Sequence, residues 1–111
     1  MNVSSTWLDS EHRELDRALA EVEFLAERRA FETAAARFRE FRERFLAHMQ
    51  NEERDPRLAA AVKPAHAKLE MMLDAVASAL DQGDFSDFCY GITALSKLIA
   101  DHERDEEQLA S

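Results

Sequence analysis

Glycine and proline are scarce, with two of each in 111 residues. A β-sandwich or barrel turns too often to be built from so few, so an all-β fold is excluded. The single cysteine, Cys89, has no internal partner, which excludes a disulfide framework. No apolar run approaches the length of a membrane span, and no basic-then-apolar leader is legible at the N-terminus, so a soluble, cytoplasmic protein is expected. Cations are also in the minority: 14 Lys and Arg against 23 Asp and Glu leave a formal charge of −9. Such a surface repels phosphate backbones and anionic lipid, so neither nucleic acid nor a membrane is an expected partner. A His-Glu-x-x-His protease motif and a glycine-rich phosphate loop are both missing.

What remains is 46% hydrophobic and rich in Ala, Leu, Glu and Arg, enough for one compact all-α domain over residues 1–111. Breakers divide it into four helices. The first is expected from Ser5 or Thr6, where Thr6 and Asp9 have capping-box spacing, to Arg28. The second runs from Glu32 to Arg54 and stops at Asp55-Pro56. The third runs from Pro64, a good first-turn residue, to Gln82, with Gly83 free to take a left-handed cap; pattern leaves open whether 56–63 is a loop or an extra turn. The fourth follows an N-cap at Asp84 and reaches Gln108. Short connections make neighbours antiparallel, giving an up-down-up-down four-helix bundle.

Alternating steps of three and four mark one buried seam per helix. These are Leu8, His12, Leu15, Leu19, Val22; Phe38, Phe41, Phe45, His48, Glu52; Val62, His66, Leu69, Leu73, Val76; and Phe88, Ile92, Leu95, Ile99, His102, Glu106. Arg39, Glu40, Arg42, Glu43 and Arg44 between them read as an ordinary solvated face. Each seam is apolar except at histidine or glutamate, and burying such groups unpartnered costs several kcal/mol apiece. All four histidines of the chain fall on seams, one per helix. His12 and His66 lie early in their helices and His48 and His102 late, so antiparallel packing brings the four to one end.

The chain is also a duplicated helical hairpin. A shift of 54 residues superposes His12 on His66, His48 on His102, Leu15 on Leu69, Leu19 on Leu73, Val22 on Val76, Phe31 on Phe85, Phe45 on Ile99, and Glu52-Glu53 on Glu106-Glu107. Residues four apart on a helix share a face, so each His-x-x-x-Glu aims an imidazole and a carboxylate at one point. Two such pairs, with two more histidines, exceed the needs of one tetrahedral zinc. Imidazole and carboxylate suit iron, manganese or zinc, and a bridging carboxylate suits a dinuclear centre. The ferritin-type Glu-x-x-His motif is absent, because Asp9, Phe45, Lys63 and Ile99 stand three residues before the histidines.

The pattern His12, His48-Met-Gln-Asn-Glu52, His66, His102-Glu-Arg-Asp-Glu106 resembles that of the hemerythrin-like, or HHE cation-binding, domains over essentially the whole chain. The resemblance implies two iron ions in a non-haem centre, bridged by Glu52 and Glu106, with His12 and His48 on one iron and His66 and His102 on the other. It also implies a small ligand: oxygen, peroxide or nitric oxide. Oxygen-carrying hemerythrins have a fifth histidine four residues after the third, where this chain has Glu70, so Glu70 is a candidate ligand by substitution. A carboxylate there would favour the ferric state over reversible cycling. Asp16, the repeat counterpart of Glu70, is a candidate ligand or supporting group, and Glu107 competes with Glu106, which the repeat favours. An alternative function is an iron-responsive sensor or store whose occupancy sets bundle stability and regulates a protein partner. Met49, Met71 and Met72 read as packing or surface residues, Cys89 as a small buried hydrophobe, Trp7 and the phenylalanine stripe as core, and Gly91 as a point of close packing.

Overall fold

The protein folds as four α-helices: α1 (Val3–Glu27), α2 (Phe31–Glu53), α3 (Ala59–Asp81) and α4 (Phe85–Ala110). This computed structural model describes residues 3–110, and the side chains of 7–109. The helices make an elongated bundle of 44 × 23 × 19 Å, in which α1 packs on α2 and α4, and α3 on the same two. Every seam position named from the sequence is buried. The three-four spacing forces this, since it leaves each helix a single stripe to bury and four stripes close on one axis.

The helix ends show the duplication. At the end of α1, Ala30 N–H donates to Leu25 O and Arg29 N–H to Ala26 O; at the end of α3, Asp84 N–H donates to Ala79 O and Gly83 N–H to Leu80 O. Both are Schellman caps that need a left-handed residue, taken as expected by Gly83 (φ 69°) and, against the usual preference, by Arg29 (φ 63°). Asp84 caps α4 through a 3.0 Å bond from Asp87 N–H, whereas its counterpart Ala30 gives α2 no side-chain cap. Phe31 and Phe85 stack across this end with centroids 4.3 Å apart.

Two helix starts differ from the sequence reading. α1 begins at Val3, so Thr6 falls inside the helix rather than at its cap, and its side chain lies outside those described. α3 begins at Ala59, so of the two alternatives for 56–63 the structure takes the extra turn ahead of Pro64, because Leu58 and Val62 extend the buried stripe backwards and form a small end cluster with Leu8 and Trp7. Pro64 sits within the helix and removes one intrahelical bond, at an exposed position where water can reach the carbonyl left over. Asp55 turns the chain into α3 by accepting from Arg57 N–H at 2.9 Å. Gly91 meets Val76, whose Cγ2 would lie 2.8 Å from a Cβ placed there, so close packing of α3 on α4 does require it. Met49 is buried and Met71 exposed, Cys89 and Trp7 are partly buried against the two apolar clusters, and the stripe of Phe38, Phe41 and Phe45 is buried while Phe24 and Phe85 are exposed.

Candidate metal centre

Antiparallel packing sets the four histidines in one layer near the end of the bundle that holds Leu8, Leu58 and Val62. His12 and His48 lie edge to face with centroids 5.1 Å apart, and His66 and His102 repeat the arrangement at 5.0 Å. Glu52 and Glu106, one turn beyond His48 and His102, reach between the pairs and are essentially inaccessible to solvent. Each carboxylate serves both pairs. Glu52 lies 3.0 Å from His48 Nε2, 2.9 Å from His66 Nε2, 3.6 Å from His12 Nε2 and 3.9 Å from His102 Nε2. Glu106 lies 3.2 Å from His12 Nε2, 3.2 Å from His102 Nε2 and 3.9 Å from His66 Nε2.

Most of these short distances are not hydrogen bonds. His66 Nε2 and Glu52 Oε1 are aligned as a bonded pair, but Nε2 of His12, His48 and His102, Oε2 of Glu52 and both oxygens of Glu106 are buried without a hydrogen-bond partner. Orphaned buried polar atoms are costly, and here they point at shared positions rather than at one another. Two sets result: His12, His48, Glu52 and Glu106, and Glu52, His66, His102 and Glu106, each with one ligand atom per residue lying within 4.8 Å of the others. Two imidazoles with two shared carboxylates form a donor set suited to a first-row transition metal, so the residues fit a metal pair.

Three of the four outer nitrogens are held as well. Glu107 is 3.0 Å from His12 Nδ1, Glu53 3.0 Å from His66 Nδ1 and Glu11 3.0 Å from His48 Nδ1. A carboxylate on Nδ1 fixes the ring and leaves Nε2 to face inward as an available donor atom. The same carboxylates favour protonated imidazoles. Burial alone would lower the imidazole pKa values, but the surrounding carboxylates outweigh it, holding His12 at about 11, His66 at about 10 and His102 at about 9, and raising His48. Against the burial that would raise them, the histidines around them hold Glu52 well below the usual carboxylate range and lower Glu106 as well.

The structure thus gathers His12, His48, Glu52, His66, His102 and Glu106 and leaves the other candidates aside. Glu70 and Asp16 are exposed and outside both sets. Glu107 is 48% exposed and supports His12 from outside, whereas Glu106 is 1% exposed and faces inward. Three residues escaped the sequence reading in these places. The pairing of Glu53 with Glu107 was visible in the repeat, but Glu11 has no counterpart to flag it. Glu103 is buried beside the site, where burial and then the neighbouring Asp16 carboxyl push it up to about 8. Its four-residue step from Ile99 was the only available signal.

A sequence profile described as hemerythrin HHE cation binding domain matches residues 3–110. The chain belongs to that family. No curated protein and no solved structure matches it. The hemerythrin HHE match spans all four helices, and so includes both halves of the repeat and every residue of the two donor sets. No described helix of this family member is long and apolar enough to cross a membrane.

Proposed function

We propose that this hemerythrin-family protein holds two iron ions and binds or reacts with a small oxidant or diatomic ligand such as oxygen, peroxide or nitric oxide. The carrying observation is the set of buried, unpartnered Nε2 and carboxylate oxygens that share two positions. In this reading His12 and His48 would hold one ion and His66 and His102 the other, with Glu52 and Glu106 available to both. When bound, the pair supplies Lewis-acid and one-electron redox chemistry. The chain supplies orientation and dryness. Glu107, Glu11 and Glu53 lock three rings, while Phe45 and Trp7 pack against the His48 ring and the histidines, Glu52 and Glu106 are buried from water.

The test is anaerobic reconstitution with ferrous iron, which is expected to give two irons per chain, with a charge-transfer absorption on exposure to oxidant. Protein that takes up no iron would overturn the reading. A second reading, a sensor or store whose occupancy sets bundle stability and so regulates a protein partner, is favoured by the concentration of buried charge, because metal that binds only the folded chain adds its binding energy to folding. Rapid peroxide turnover supports the first reading. A large metal-linked rise in melting temperature without turnover supports the second.

A further inference from the structure

The 54-residue repeat makes the two proposed metal positions near-copies, so the places where the copies differ are informative. Three outer nitrogens carry a carboxylate. Glu107 on His12 and Glu53 on His66 are repeat counterparts, each at 3.0 Å. Glu11 on His48, also at 3.0 Å, has Ala65 as its counterpart, and no described carboxylate pairs with Nδ1 of His102. The difference extends to packing. Trp7 lies edge-on to His48 with centroids 6.0 Å apart, and its counterpart is Ala61.

A carboxylate on the outer nitrogen does two things to a metal-ligating imidazole. It fixes ring and tautomer, and it increases electron donation from the inner nitrogen; losing such a group costs metal affinity on the order of 10–100-fold. The His12–His48 position has two of these supports and the His66–His102 position has one. Glu52 and Glu106 are shared by both and cannot discriminate.

We infer that the two metal positions are unequal, and that Glu11 makes the His12–His48 position the first to take a divalent cation. Glu11 is a positioning residue: it acts on the cation through His48. Ala65 leaves His102 less restrained and the second position weaker. This inference rests on the metal-pair reading above and adds to it an order of filling.

The experiment is a cobalt(II) titration of the metal-free full chain, followed by calorimetry and by proton NMR of the paramagnetically shifted Nδ1–H resonances. Mutual repulsion of two cations separates the steps even in a symmetric site, so the diagnostic result is which variant moves which step. In wild type, one equivalent should produce shifted resonances from one histidine pair, and the second equivalent those of the other. E11A should weaken the first step on the order of 10–100-fold and leave the second nearly unchanged. E11Q, which keeps a hydrogen-bond acceptor without the charge, should recover part of the loss. A65E should strengthen the second step by about tenfold and bring the two closer, a gain that general damage to the fold cannot produce. Equal response of both steps to E11A, or an unchanged second step in A65E, would overturn the inference alone. Wild type that binds no cobalt would overturn the metal-pair reading with it.

Discussion

Filling the centre should expel protons, and the structure sets how many. Metal ligation needs neutral imidazoles, while the interior carboxylates hold His12 at about 11, His66 at about 10 and His102 at about 9. At pH 7 these three are protonated, so loading both positions should release about three protons per chain, with a further contribution from His48. Each displaced proton steepens the pH dependence, and three make the overall apparent binding constant rise by roughly three powers of ten per pH unit below pH 9. The slope should then fall as His102, His66 and His12 lose their protons in turn. Calorimetric titration with zinc or cobalt in buffers of different ionisation enthalpy counts the protons directly. Release of less than about one proton at pH 7 would mean that Glu52 and Glu106 do not hold the imidazoles charged, and the account of the empty centre would be refuted.

The same shifts govern the metal-free bundle. A raised histidine pKa adds stability that is fully present below about 6.5 and lost as pH climbs through the folded values of about 9 to 11. The depressed Glu52 and Glu106 add stability that is present above about 4.5 and lost in acid, so melting temperatures of chelated protein should fall on both sides, the alkaline fall being suppressed by bound metal. At the far end, R29G should stabilise by about 0.5–1 kcal/mol by relieving a left-handed non-glycine residue, and A30D should add about 1 kcal/mol by giving α2 the cap Asp84 gives α4; urea midpoints test both. G91A should cost about 1–2 kcal/mol despite its better helix propensity, because Val76 is stiff and buried, and V76A in the same chain should recover part of the loss. E70A should leave metal stoichiometry at the wild-type value by elemental analysis, since Glu70 lies exposed outside both donor sets.

The sequence by itself determined the parts governed by periodicity. A buried stripe obeys the helical repeat whatever it later packs against, so Leu15, Phe41, Leu73, Leu95 and the histidines could be assigned to the interior before any tertiary contact was known. The duplication then paired His12 with His66 and Glu52 with Glu106, and three short connections were enough to bring them to one end. Local rules failed where distant groups competed with them. Pro64 reads as a helix start, yet burial of Leu58 and Val62 outweighs one missing hydrogen bond. Arg29 takes a glycine's conformation because the Schellman cap and the stacked Phe31 and Phe85 hold the turn. Only the tertiary structure decided which carboxylates face inward and which stand behind a ring. Glu106 and Glu107 are adjacent in sequence and equal in chemistry, and they are separated by about 100° of helical rotation, a difference that acquires meaning only once α1 lies alongside to present His12.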